Sequence, residues 1–325
     1  IGGIPGNRTT LIVVPIIAAA GFYIPKTSSR SITSPAGTAD TMEVLANVTF
    51  PIKKMKDIVL KTHGCIVWGG SLNLAPADDK IIAVERPLEI DAESQLLASI
   101  MAKKHSVSST HILIDVPIGK DAKVKKRFEA LRLKKEFEKI GRRFKKHIKV
   151  LITNGSQPIG NGIGPALEAR DALWLLKRDP RRPLDLEKKC LIMCSEIFDM
   201  VGIKNGHKKA LDILNSGKAY QKMIDIIKAQ GGKEIAAEDI KIGNYLYDIL
   251  SKKSGKIMDI DNIAVSRIAR IAGAPHDKGA GIYLYKHVND RIKRGERLFT
   301  IYAESKHEFE YAKDVAKSEK VFVVK

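Results

Sequence analysis

Between Thr110 and Gly155 the chain reads strand, helix, strand, and that order limits what it can fold into. THILIDVPIG is an apolar, β-branched run of the length of a buried strand. VKKRFEALRLKKEFEKIGRRFKKHIK reads as a long basic helix with Leu133, Phe137, Ile140, Phe144 and Ile148 as its apolar stripe, and HIKVLITNG is a second strand. Strands that alternate with helices predict an α/β domain built on a mainly parallel sheet flanked by helices.

The N-terminal part alternates in the same way. IGGIPGN is a glycine-rich turn, and TTLIVVPIIAAAGF suits a helix buried against a sheet. YIPKTSSR reads as a short strand, and TADTMEVLANV as a helix capped by Thr38 with Asp40 and Glu43 in its first turns. DIVLKTHGCIVWGG carries a strand-like run, and LEIDAESQLLASIMAKKHS is an amphipathic helix. From Asp171 to about Ser254 the periodicity is mostly helical. From Gly255 the texture changes to the short strand-like runs GKIMDID, IAVSRIARIAG, AGIYLYK, RLFTIYAES and KVFVVK, which read as a C-terminal α+β module.

Composition adds a charge argument. Lys and Arg number 56 against 37 Asp and Glu, a formal net charge of +19. Such a balance favours an anionic ligand: nucleic acid, a membrane surface or a phosphorylated metabolite. It equally suits the Lys- and Glu-rich surfaces common in thermophile proteins. The three cysteines, Cys65, Cys190 and Cys194, have no framework spacing and no zinc set, so they read as buried thiols in a reducing cytoplasm. The opening apolar run loosely mimics a signal peptide, but Pro15 interrupts it and it is too short to span a bilayer. A core helix in a cytoplasmic protein is the expectation.

The chemistry points to SSRSITSPAGTADTMEVL. Ser28, Ser29, Ser31, Thr33, Ser34 and Thr38 surround Arg30, and Pro35-Ala36-Gly37 leads into a helix. Hydroxyls, amides and a cation are what phosphate binding needs, although the same content also suits a polar surface turn. Gly2-Gly3 and Pro5-Gly6, with Thr9 and Thr10 beyond, form a second loop of the shape that cradles an anion. Asp91 stands near the start of a helix, where it is either an acid of the site or a first-turn carboxylate. Ser99 and Lys103 are one turn apart on that helix, and Lys123 follows a buried strand at the ligand edge of the sheet. Gly160, Gly162 and Gly164 make a strand-to-helix turn too regularly spaced for a dinucleotide fingerprint.

The order of these residues is specific. SSRSITSPAGTADTME, with its Ser-Arg pair followed by Gly-Thr-x-Asp-x-x-Glu, closely resembles the signature of the thymidine and pyrimidine-nucleoside phosphorylases. The resemblance continues through GGIPGN, ASIMAKK and NGSQPIGNGIG, and so covers essentially the whole chain. Within that superfamily, SITSPAGTADTMEVLANV with VERPLEIDAESQLLASIMAKKHSVSSTHILIDVPIGKDAKV is similar to the archaeal-type AMP phosphorylases.

The resemblance implies phosphorolysis of AMP, and of other nucleoside 5′-monophosphates such as CMP and UMP, to free base and ribose 1,5-bisphosphate. It implies no cofactor and no metal, inorganic phosphate being a co-substrate. The partners are then small molecules, not nucleic acid or membrane, and the assembly a homodimer or larger homo-oligomer. It also implies a small α domain facing a large α/β domain across the active cleft. The division would be 1–75 (α/β, first part), 76–106 (small α domain), 107–254 (α/β, remainder) and 255–325 (C-terminal α+β). Asp91 matches the family's proton donor. Gly3, Ser29, Arg30, Ser31, Ile32, Thr33, Ser34, Thr38, Ser99 and Lys123 match nucleotide- or phosphate-binding positions, and Thr9, Ser28 and Lys103 are further matches.

This sequence departs from the pyrimidine enzymes at two places. Their base-reading arginine falls in register with Val84, with Arg86 nearby, and Ser34 stands where they carry a histidine. The family's phosphate loop also begins with Lys-His-Ser immediately before the position of Ile1, so the expectation is an N-terminally truncated chain. Two other readings stay open: a pyrimidine-nucleoside (thymidine or uridine) phosphorylase, and a nucleic-acid-binding module using the basic helix.

Overall fold

The computed structural model describes residues 3–31, 34–72, 97–98, 101–102 and 107–325. Strand β1 (Ile24–Ser28) pairs in parallel with β2 (Gly64–Trp68), which sets Ser28 beside Trp68. Strand β3 (His111–Ile118) pairs in parallel with β4 (His147–Asn154), with His111 opposite His147 and Ile118 opposite Asn154. Among the described residues these two ladders are not hydrogen-bonded to each other. Helix α1 (Thr10–Ala19) precedes β1, while α2 (Thr38–Glu43) and α3 (Ile52–Thr62) lie between β1 and β2. Helix α4 (Arg127–Arg143) makes the crossover from β3 to β4.

Several segments differ from their sequence reading. DIVLKT belongs to α3, not to a strand, because Met55, Ile58 and Thr62 recur at helical spacing and bury one face. His63 then turns left-handed and only Gly64–Trp68 is extended. The cap of α2 is Gly37, with Thr38 as its first residue, because the Asp40 carboxylate turns back to accept the Gly37 N–H at 2.8 Å. In α4, Leu133 and Phe137 are buried as expected, but the helix ends at Arg143 and Phe144 swings out to 53% exposure. Of the amphipathic segment around Asp91 to Lys103, only Leu97, Ala98, Met101 and Ala102 are described, and they are helical.

Helices α5 (Pro165–Leu176), α6 (Leu184–Met200), α7 (Gly206–Asn215) and α8 (Lys218–Ala229) pack with α1 in one core. Leu11 to Ala18 are all buried there, so α1 is apolar on every side despite Pro15. Cys65, Cys190 and Cys194 are buried free thiols, and burial pushes the Cys65 thiol up to about 12.

A second core lies toward the C-terminus. The two-residue strand β5 (Gly162–Ile163) opens an antiparallel sheet in the order β5, β8 (Gly281–Leu284), β10 (Arg297–Ala303), β6 (Tyr245–Leu250). Strand β6 therefore interrupts the stretch read as helical up to Ser254. A three-stranded sheet, β11 (Phe322–Val324), β7 (Gly255–Ile260), β9 (Arg291–Ile292), stands with helices α9 (Asn262–Ile271) and α10 (Lys306–Ser318). IAVSRIARIAG is helix α9, not a strand: Asp261 caps it by accepting the Ala264 N–H at 2.9 Å, and Ala264, Val265, Ile268 and Ala269 bury one face. Among the described residues no helix is long and apolar enough to cross a membrane.

Candidate active site

Three loops meet at one end of this framework. The first is Gly3 to Arg8, ahead of α1. The Pro5 carbonyl accepts the Ile159 N–H at 3.1 Å, and Gly6, at φ +70°, lies so close that a Cβ would sit 2.3 Å from the Ile159 carbonyl. The glycine turn 159–164 is thereby stacked on the N-terminal glycine loop. Gly3 lies against the second loop, where a Cβ would be 3.6 Å from Lys123 Cγ. The Lys123 side chain is exposed there.

The third is the hydroxyl loop from Ser28, at the end of β1, to Thr38 at the start of α2. Asp40 fastens its two sides: Oδ2 accepts the Ser31 N–H at 2.7 Å and the Gly37 N–H at 2.8 Å, and Oδ1 faces Arg30 at 3.3 Å. Ser31 Oγ donates to the Ser34 carbonyl and Ser34 Oγ to the Ala36 carbonyl at 3.0 Å, so these two hydroxyls close the loop on itself. The Arg30 guanidinium lies over Trp68, 4.9 Å from the ring centre, and forms a bidentate pair with Glu43. Arg30 therefore has its charge answered by carboxylates. Lys278, from the loop before β8, reaches the same Glu43 at 2.8 Å.

Arg8 links the first and third loops, donating to the Ala36 carbonyl and pairing with Glu168. Glu168 is 1% exposed, accepts from Thr41 Oγ1 at 2.9 Å, and has its pKa raised by burial against the opposing pull of Arg8. One helical turn on, Asp171 Oδ2 accepts the N–H groups of Asn161 at 2.8 Å and Gly162 at 2.6 Å. Burial pushes Asp171 up to about 7, and its Oδ1 has no hydrogen-bond partner among the described residues.

Of the residues singled out from sequence, Gly3, Ser28, Ser29, Arg30, Ser31, Ser34, Thr38 and Lys123 stand on these three loops. Thr9 is buried just before α1, where its carbonyl accepts the Val13 N–H at 2.8 Å. Ile32, Thr33, Asp91, Ser99 and Lys103 lie outside the described residues. Sequence reasoning passed over Arg8, Glu168, Asp171 and Lys278. Two acids three apart in the apolar run PALEARDALWLL were a signal, since an unpaired carboxylate there would be costly to bury. Lys278 had no local signal among so many lysines.

The electrostatics give a pH expectation. The Glu43 carboxyl is held down at about 2 against an ordinary 4.5, first by its bond from Arg30 and then, against the cost of burial, by Lys278. A carboxyl depressed on folding stabilises the fold above its ordinary pKa and loses that contribution as pH falls toward the folded value. Acidification from about pH 4.5 to about 2 is expected to loosen the loop and change Trp68 fluorescence. Glu43→Gln should flatten that change, and an identical acid transition in the variant would remove Glu43 from this role.

Residues 2–220 match the glycosyl transferase family α/β domain, and residues 256–322 match the pyrimidine nucleoside phosphorylase C-terminal domain. The chain is 49% identical over its whole length to the "Putative thymidine phosphorylase" of Rhodopseudomonas palustris, covering 63% of that protein. It is 48% identical to "AMP phosphorylase 1" of Archaeoglobus fulgidus, over 100% of this chain and 64% of that one. It is 51% identical to the "AMP phosphorylase" of Pyrococcus furiosus, over 96% of this chain and 63% of that one. The chain thus spans about three fifths of the length of the curated relatives it matches. An anthranilate phosphoribosyltransferase from Thermus thermophilus shares the fold, with a TM-score of 0.55 at 16% identity, over 71% of this chain and 75% of that one. By the match of its α/β domain over two thirds of its length, this chain belongs to the glycosyl transferase family, in the branch that carries the pyrimidine nucleoside phosphorylase C-terminal domain.

Proposed function

We propose that the full-length protein is a phosphorylase that transfers the ribosyl group of AMP, and of other nucleoside 5′-monophosphates such as CMP and UMP, to inorganic phosphate. The products are the free base and ribose 1,5-bisphosphate. The observation that carries this reading is the meeting of three loops suited to anions, with Gly3 against Lys123 and Arg8 bonded to the Ala36 carbonyl. Two anions must be held at once, the attacking phosphate and the 5′-phosphate of the substrate, and a site made of several loops suits that demand better than a single turn.

Chemically, the C1′–N bond to the base breaks as a phosphate oxygen bonds to C1′, with positive charge developing on the ribose between them. Loop amides and hydroxyls hold the phosphate in line, which is positioning together with fixed electrostatic stabilisation. The departing base needs a proton, and Asp91 is the proposed donor. Lys123 is the cation proposed for the 5′-phosphate. A pyrimidine-nucleoside phosphorylase is the second reading, favoured by the relatives of 49% identity that carry thymidine phosphorylase names.

The test is phosphate-dependent release of base by the full-length protein from AMP, CMP, UMP, uridine and thymidine in parallel. Cleavage of AMP well above the free nucleosides is the expected result, and preference for uridine or thymidine would shift the reading to the second. Asp91→Asn is expected to lower turnover by about 10²–10⁴-fold with substrate binding little changed. Turnover near that of the wild type would sink the proton-donor role.

A further inference from the structure

The hydroxyl loop is not held by the N-terminal half of the chain alone. Lys278 lies 235 residues beyond Glu43, within the part matched by the C-terminal domain model, yet its Nζ is 2.8 Å from Glu43 Oε2 and 3.9 Å from Asp40 Oδ1. Its backbone is fixed as well, because the Lys278 carbonyl accepts the Ala166 N–H at 2.9 Å at the start of α5. The ammonium therefore reaches the loop from an anchored position. The same C-terminal part touches the Lys123 loop, where Lys120 pairs with Asp259, and Asn262 Nδ2 donates to the Gly155 carbonyl at 3.1 Å.

Count the charges around Arg30. Among the described residues two carboxylates, Asp40 and Glu43, face one guanidinium, and Lys278 balances this group of charges. Without it, the ground beneath the loop would carry a net negative charge and disfavour an incoming anion. Glu43 would also lose one of the two cations that aim it, and with it the seating of Arg30 on Trp68.

We propose that Lys278 is a positioning residue, through which the C-terminal part sets the anion affinity of the Ser28–Thr38 loop by holding Glu43 and neutralising the carboxylates under Arg30. It touches no reacting atom in this scheme and acts through Glu43. The proposal rests on the phosphorylase reading to the extent that inorganic phosphate is the anion bound.

The experiment titrates the full-length protein with inorganic phosphate, read by calorimetry and by the fluorescence of Trp68. Lys278→Ala is expected to weaken phosphate binding on the order of tenfold, a typical size for coupling between a site and a remote contact. In the assay it should raise KM for phosphate more than it lowers kcat. Lys278→Arg should restore most of the loss by keeping the charge, and the melting temperature of both variants should stay near that of the wild type, because a half-exposed pair contributes little to stability. In a Glu43→Gln background the same Lys278→Ala change should have almost no further effect. Phosphate binding by Lys278→Ala equal to that of the wild type, or an undiminished effect in the Glu43→Gln background, overturns the proposal. Failure of the wild-type protein to bind phosphate at all would instead overturn the phosphorylase reading, and this proposal with it.

Discussion

Replacing Gly37 with alanine is expected to abolish most phosphate binding while leaving the backbone torsions of residue 37 unstrained. The φ of Gly37 is −98°, which alanine adopts freely, so the effect is steric. A Cβ there would stand 2.6 Å from both the Ser29 carbonyl oxygen and the Ser31 nitrogen, and 2.7 Å from the Arg30 carbonyl carbon. All three are backbone atoms, so the loop cannot yield by turning a side chain. It has to move by roughly 1 Å, and a misplacement of that size at a site of reaction costs about 10²-fold. The overpacking itself should cost about 1–3 kcal/mol. Phosphate titration and kcat/KM on the full-length protein measure the first effect and a denaturant midpoint the second. Binding within threefold of the wild type would mean that the loop does not hold the anion.

Glu168→Gln is expected to be the most destabilising conservative change near the site. Glu168 is buried together with Arg8, whose side chain is only 11% exposed. Removing the carboxylate charge leaves that cation buried without its partner, a loss of about 3–5 kcal/mol. Removing both charges, as Arg8→Met with Glu168→Leu, should cost much less than the single change, because burial already works against the carboxylate and no orphan charge remains. Urea unfolding of the single and double variants measures this. A single variant as stable as the wild type would show that the bond Arg8 already makes to the Ala36 carbonyl is enough to hold the buried guanidinium without the carboxylate.

How much of this was legible before the structure differs by element. The parallel pair β3–β4 and its basic crossover follow from apolar runs long enough to have one explanation. DIVLKT and IAVSRIARIAG misled because short apolar segments rich in branched residues satisfy either period, and what decided them was burial of one face against other elements. At the site, the Ser-Arg and Gly-Thr pattern was visible because loop chemistry is local. The supports of the loops were not, because Arg8–Glu168 spans 160 residues and Lys278–Glu43 spans 235, and no local pattern records a contact at that distance.

Strand β5 carries a consequence for how the molecule is made. Gly162 and Ile163 pair with Tyr283 and Ile282, and Ile163 is buried in the C-terminal core although it sits within the glycine turn that leads into α5. The turn stacked on the N-terminal loop is therefore closed on its far side by a strand more than a hundred residues later. Pairings of that sequence separation are slow to form, because the loop entropy is lost before any contact rewards it. During synthesis the nascent N-terminal half would wait with Ile163 uncovered, and the glycine turn with the loop stacked on it would reach its final register as one of the last events of folding rather than one of the first.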